Sequence, residues 1–416
     1  MLRYLKARLS IMMFLQFFIW GAWYATGGNY MKSHGMADVI YLAYMTSAIG
    51  AIVSPFFLGM IADRFFPVQK VLGVMHMLSG IFVYCAPFFA EGSFISAPLF
   101  LGFLLLHMLC YMPTVNLAAA TAFHLLDNRE KQFPAIRLFG TLGWITAGIV
   151  VSKLLQGDAT ALPMRISGIG GVLMGLYSFT LPHIPPAGAG KKMSFRDLIG
   201  ADAFAKLRSK PFIIFIISLL LISVPFATYF SYVPVFLQTA NVANPAFKMT
   251  FGQMSEILFL LVLPWFFARF GLKWVLLTGM LAWVCRYALF ALAAPDAITW
   301  MIMAGILLHG CCYDFVYVAG QIYIDKKATP EIRAQAQGLF VLVSYGVGQG
   351  LGTLAAGWIF NSIMSKGSSL HQWQIFWIIP LLFAAVVMVL FVLGFREKAT
   401  LPQQRAASEP FAAGSG

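Results

Sequence analysis

The chain has 416 residues, of which 60% are hydrophobic and 10% charged, and it carries a formal net charge of +13. Soluble domains carry roughly 25% charged residues, so the composition excludes an ordinary soluble enzyme and points to a polytopic protein of the lipid bilayer. The positive charge is that of cytoplasmic loops rich in Lys and Arg, and no nucleic-acid partner is expected.

In chain order, Arg3, Lys6 and Arg8 precede an apolar run over 9–31. That run is longer than the apolar core of a signal peptide and reads as an uncleaved first transmembrane helix. A helix needs about 20 residues to cross the hydrocarbon core. Segments of that kind lie near 9–31, 39–62, 68–89, 96–125, 134–155, 163–183, 211–240, 250–270, 273–294, 298–324, 332–364 and 373–395. This predicts an all-α membrane protein of twelve transmembrane helices in two six-helix halves. About 22 Lys and Arg fall on the side of the termini and about 5 on the other, which puts both termini in the cytoplasm and the chain in the cytoplasmic (inner) membrane.

The predicted domains are an N-terminal half (1–183), a linker (184–210), a C-terminal half (211–396) and a disordered tail (397–416). Pro182, Pro185, Pro186, Gly188 and Gly190 break the sixth helix, and SFRDLIGADAFAKLRSK then spaces its apolar residues as an amphipathic helix at the membrane surface. Cys85, Cys110, Cys285, Cys311 and Cys312 all lie in apolar segments without metal-ligand spacing. They read as small packing residues, and neither metal nor cofactor is expected.

A repeat supports the two halves. His107-x-x-Cys110-Tyr111 recurs as His309-x-x-Cys312-Tyr313, and Pro134-Ala135-Ile136-Arg137 as Pro330-Glu331-Ile332-Arg333. The copies differ where it matters: Met112 follows Tyr111, whereas Asp314 follows Tyr313. A carboxylate in the middle of a spanning helix costs about 3 kcal/mol to insert, so Asp314 is expected to face a cavity and to carry the proton of a coupled process. Gly346, Gly348, Gly350 and Gly352 alternate inside an apolar helix, where they permit close packing; no strand precedes them, which excludes a dinucleotide loop.

The loop after the second segment, Gly59-Met60-Ile61-Ala62-Asp63-Arg64, followed by Lys70, resembles the signature of the major facilitator superfamily. Asp63 and Arg64 would then form a gating latch that breaks as the halves rock. The stretches WGAWYATGGNY (20–30), FPAIRLFGTLGW (133–144), LPHIP (181–185), LIGADAFAKLRSK (198–210), QMSEILF (253–259), YDF (313–315) and IRAQAQGLF (332–340) look like the nucleoside:proton symporter family within that superfamily. The resemblance implies import of nucleosides with protons, working as a monomer, through a central site between the halves. It assigns Arg137, Thr141, Trp144, Gln253, Glu256, Tyr313 and Asp314 to the site; His309 is added to the expected substrate-binding residues, and Asp314 and Glu256 are expected to couple the proton. Two departures stand out: Pro225-Phe226-Ala227-Thr228-Tyr229 has no amide where members carry them, and His309 stands where a tyrosine is usual.

The chemistry suits a nucleoside. Trp144 and Tyr313 offer aromatic faces to a base, while Gln253, Glu256 and Asp314 can bind hydroxyls, and Arg137 can donate to a carbonyl or hold a carboxylate. Each position also has a plain structural reading. Glu256 can pair with Arg286, Arg137 can anchor the end of its helix, Trp144 can face lipid or core, and His76 and His107 can be packing histidines. Transport of another polar solute such as a sugar is the alternative function. An intramembrane enzyme or receptor finds no HExxH, GxSxG or P-loop motif to support it.

Overall fold

A computed structural model describes residues 4–57, 66–91, 95–186, 196, 199–329, 331–365, 367 and 369–396, the side chains of 129–131 excepted. Asp63 and Arg64 lie outside the described residues, as do Pro330, the linker positions 187–195 and 197–198, and the tail from 397. Among the described residues every regular element is a helix. Ten spans are long and apolar enough to cross a membrane. One of them, Pro245–Ala293, holds two helices, and the 17-residue helix Leu162–Ser178 adds another crossing, so there are twelve among the described residues.

They are α1 (Leu5–Ser33), α2 (Ala37–Phe56), α3 (Val68–Phe89), α4 (Ala97–Leu125), α5 (Gln132–Leu154), α6 (Leu162–Ser178) and α7 (Lys210–Thr239). Then come α8 and α9 (245–270 and 272–293), α10 (Thr299–Lys327), α11 (Arg333–Met364) and α12 (Leu370–Gly394). The break between α8 and α9 is made by Gly271, whose φ of 74° and ψ of 171° suit a residue without Cβ. Hydropathy places the gap between 270 and 273, around the same residue.

In the N-terminal half α1 packs on α5 and α6, α3 on α4 and α6, and α2 on α4. In the C-terminal half α7 packs on α11 and α12, and α8 and α9 lie against α10. The alternating glycines of α11 serve close packing as their spacing suggests. A Cβ on Gly348 would come 2.7 Å from Ser223 Cβ, and one on Gly352 2.8 Å from Ala227 Cβ, both on α7. The described part of the linker forms one short helix, Ala201–Leu207, with Ala203 and Leu207 buried. It docks on the first turns of α11, where Gln335 and Leu339 come up to Gly200.

An even number of crossings puts both termini at one end of the bundle, the near end. The halves meet at the far end. There Lys32 Nζ donates to Thr239 Oγ1 at 2.7 Å, joining α1 to α7, and Asn361 Nδ2 donates to Asp38 O at 2.7 Å, joining α11 to the start of α2. A third contact joins α5 to α8. The first turn of α8 has no side-chain cap of its own. Its Ala246 N–H donates instead to Asp158 Oδ1 at 2.9 Å, from the α5–α6 loop of the other half, while Ser152 Oγ donates to Asp158 Oδ2 at 2.6 Å. A carboxylate at a helix N-terminus satisfies an orphan donor and the positive end of the helix dipole.

Burial raises the Asp158 pKa above the ordinary carboxylate value, against the opposing pull of its hydrogen bonds from Ser152 and Ala246. A carboxyl whose pKa is raised on closure binds its proton more tightly in the closed form. Closure at this contact is therefore favoured as pH falls and loses that contribution as pH rises through the raised pKa. Asp158→Ala should cost the closed far end about 1 kcal/mol, roughly a fivefold change in the closed-to-open ratio. Spin-label distances between the two halves at the far end read this directly. Asp158→Asn, which keeps an acceptor for Ala246 but cannot titrate, should make those distances less sensitive to pH; unchanged distances in both variants would mean that this contact does not hold the halves together.

Candidate binding cavity

Between the two halves lies a cavity of about 290 Å³. Its walls follow from which helices the fold brings to the centre: α1, α2, α4 and α5 from one half, and α7, α8, α10 and α11 from the other. At its deep end it is bounded by Tyr24, 2% exposed, and Gln349, 6% exposed. Toward the near end it continues past Asn116, Arg137, Gln321 and Val341, and Asn116 is exposed. Closed at the far end by the contacts above, the cavity opens toward the side of the termini.

Seven of the eight residues expected at a substrate site line it: Arg137, Thr141, Trp144, Gln253, Glu256, His309 and Tyr313. Gln253 and Glu256, three apart on α8, share a face as helical geometry requires. The eighth, Asp314, does not line it. It is buried at 2% exposure at the start of a π-helical segment, Asp314–Val318, and its Oδ2 has no hydrogen-bond partner among the described residues. Consecutive helical residues project about 100° apart, so with Tyr313 on the cavity its neighbour is turned into the packed interior.

Glu256 has a partner, though not Arg286. His309 Nε2 lies 3.0 Å from Glu256 Oε1, with the His309 side chain 1% and the Glu256 side chain 21% exposed. His309 Nδ1 is buried without a partner, which makes Nε2–H the donor and leaves the carboxylate as acceptor. The imidazole is held by stacking on Tyr229, with ring centroids 4.9 Å apart and 14° between planes. Arg286, wholly buried, donates from Nε to Gly305 O at 3.0 Å and lies over the rings of Tyr229 (4.1 Å) and Trp283 (4.6 Å). Aromatic faces stabilise that cation where a carboxylate was the expected counter-charge.

Arg137 lies over the Phe17 ring at 4.2 Å and lines the cavity. Trp144 faces inward too, with Trp20 at 5.5 Å, Tyr24 at 6.1 Å and Phe230 at 6.2 Å between centroids. Tyr313 shares a hydrogen bond of 2.7 Å with Tyr345 of α11. Gln253 Oε1 is buried and unpartnered. His76 and His107 sit inside the N-terminal half, bonded to Gln16 at 2.8 Å and to Ser79 at 2.8 Å, and neither lines the cavity. Residue-level reading missed the lining from α1 (Phe17, Trp20, Tyr24) and α11 (Tyr345, Gln349). Two signals could have found it: Trp20 and Tyr24 are four apart on one helix face, and Gln349 is a lone amide in a glycine-rich apolar run. Such a cavity, with aromatic walls and a few convergent polar groups, suits a small, flat, polyhydroxylated molecule.

Comparison with known proteins agrees with this geometry. A family model described as Nucleoside H+ symporter matches residues 3–400. The chain is 37% identical over 404 residues to the putative nucleoside transporter YegT of Escherichia coli, covering 94% of each, and 32% identical over 416 residues to the nucleoside permease NupG of the same organism, covering 95% of this chain and 96% of that one. A crystal structure of a NupG mutant superposes with a TM-score of 0.86 at 29% identity, over 94% of this chain and all of the other. The chain belongs to the nucleoside H+ symporter family: it is a transporter of the major facilitator fold, and not an enzyme.

Proposed function

We propose that this chain imports nucleosides together with protons across the cytoplasmic membrane by alternating access, and that the central cavity is the nucleoside site. The halves 1–183 and 211–396 are the rocking bodies, both termini are cytoplasmic, and a single chain is the working unit, since its own eight helices surround the cavity. The observation that carries the reading is the pairing of aromatic walls with Gln253, Glu256, His309, Thr141 and Arg137 in one cavity sealed at the far end. Trp144 and Tyr313 offer faces to a base. The unpartnered Gln253 Oε1 and the free oxygen of Glu256 accept hydrogen bonds from ribose hydroxyls, and Arg137 and Thr141 donate.

Asp314 serves coupling from behind this wall. A carboxyl group with an oxygen lacking a partner inside a bilayer is costly as an anion, and a proton removes that cost. For symport into the cell, Asp314 takes its proton while the cavity is open to the outside and gives it up to water through the cytoplasmic opening, before the empty carrier returns. Glu256, already satisfied by His309, is better suited to holding substrate.

Two measurements in proteoliposomes test these roles. Gln253→Ala should weaken nucleoside binding by about 1–3 kcal/mol, the usual effect of leaving a buried polar partner unsatisfied; unchanged affinity in the folded variant removes Gln253 from the site. Asp314→Asn should abolish accumulation driven by an inward proton gradient while sparing nucleoside counterflow, and Glu256→Gln should impair binding more than coupling. Gradient-driven accumulation persisting in Asp314→Asn passes the coupling role to Glu256 or His309. Counterflow of sugars in place of nucleosides would overturn the substrate itself.

A further inference from the structure

At the deep end of the cavity, Gln349 of α11 donates from Nε2 to the hydroxyl of Tyr24 on α1 at 3.1 Å. Tyr24 is itself fixed: its carbonyl accepts the Tyr44 hydroxyl at 2.9 Å, and its ring meets Trp20 at 5.6 Å and Phe230 at 5.7 Å. Gln349 is fixed from its own side as well. The glycines before and after it, Gly348 and Gly352, clamp α11 to α7 at distances that leave no room for a Cβ. With Nε2 donating to Tyr24, the amide keeps one N–H and its carbonyl for a ligand. Gln349 is a wall of the cavity. One other lining atom, Trp20 Nε1, is buried without a protein partner among the described residues, so a polar group here waits for something from outside the protein.

The geometry points to Gln349, positioned by Tyr24, as the residue that reads the polar edge of the nucleobase and so determines which nucleosides are taken. An adjacent donor and acceptor on one planar group complement the adjacent acceptor and donor on a base edge, the pairing by which amides recognise bases. A ribose offers no such edge; its hydroxyls suit the acceptors Glu256 and Gln253 elsewhere in the cavity. The rings of Trp20, Trp144 and Phe230 supply apolar faces on which a flat base can lie beside the amide. This assignment rests on the nucleoside reading above and deepens it.

The test is the melting temperature and Kd of purified wild type, Gln349→Leu, Gln349→Glu and Tyr24→Phe with uridine, cytidine, adenosine, guanosine and inosine, and with free ribose as the probe that has no base. Wild type is expected to rank the five nucleosides. Gln349→Leu should weaken its best nucleoside about tenfold or more and flatten the ranking, with ribose unaffected. Gln349→Glu, read at alkaline pH where its carboxyl is ionised and offers acceptors only, should shift the ranking toward bases with an exocyclic amino group, and Tyr24→Phe should act in the same direction as Gln349→Leu but less. Equal weakening of all five, or an unchanged ranking in both Gln349 variants, overturns the assignment and leaves nucleoside transport standing. Failure of wild type to bind any nucleoside overturns both.

Discussion

Within a bilayer, water is not available to hydrogen-bond a buried polar group, so each such group must find a partner in the protein or await one. Within each half many such groups are paired across helices. His76, Gln16 and Thr114 form a chain, with 2.8 Å at each link. Tyr111 donates to the Gln16 carbonyl, Tyr287 to the Pro225 carbonyl, and Tyr317 to Ser223 at 3.1 Å. These bonds tie helices of one half to each other and make it a body that can move as a unit. Around the central cavity Trp20, Ser54 and Gln253 each keep an unpartnered buried atom that a polar solute can satisfy.

Much of this architecture is legible in the chain itself, because hydropathy is a one-dimensional property and a spanning helix is a one-dimensional requirement. The twelve crossings, the turn at Gly271 and the packing role of the α11 glycines all follow from local pattern. Direction around a helix is harder. Asp314 follows Tyr313 in the chain, yet the helical turn sends one to the cavity and the other behind it, and the local π-helical winding shifts the register further. The pairing of charges is harder still. Opposite charge offered Arg286 as a partner for Glu256, but the guanidinium lies over the faces of Tyr229 and Trp283 and its Nε bonds the Gly305 carbonyl instead. His309 is left to hold Glu256, a pairing that depends on how α8 and α10 meet and not on any spacing within either.

The far-end closure combines close packing between the halves, Gly28 against Val235, Gly148 against Thr250 and Gly357 against Tyr41, with a few hydrogen bonds. Lys32 with Thr239, Asn361 with the Asp38 carbonyl, and Asp158 with the α8 N-terminus are single hydrogen bonds, each worth about 1 kcal/mol net. Transport requires that a ligand with a few kcal/mol of differential affinity for the two states can reverse their population.

The Gln349–Tyr24 bond differs from those three because it belongs to both the seal and the cavity. It joins α11 to α1, and so one half to the other, at a residue that also faces the substrate space. A solute seated against Gln349 therefore touches a group whose partner lies on the opposite body. Rocking the halves apart at the far end must stretch this bond, and a bound solute that takes over the hydrogen bonding of Gln349 lowers the cost of breaking it. Binding and opening then share one amide, which is the minimum that alternating access requires: a contact whose free energy differs between the two states and depends on whether the site is filled. The halves need no long relay between substrate and gate, since the deepest wall of the cavity is already the inner face of the closure.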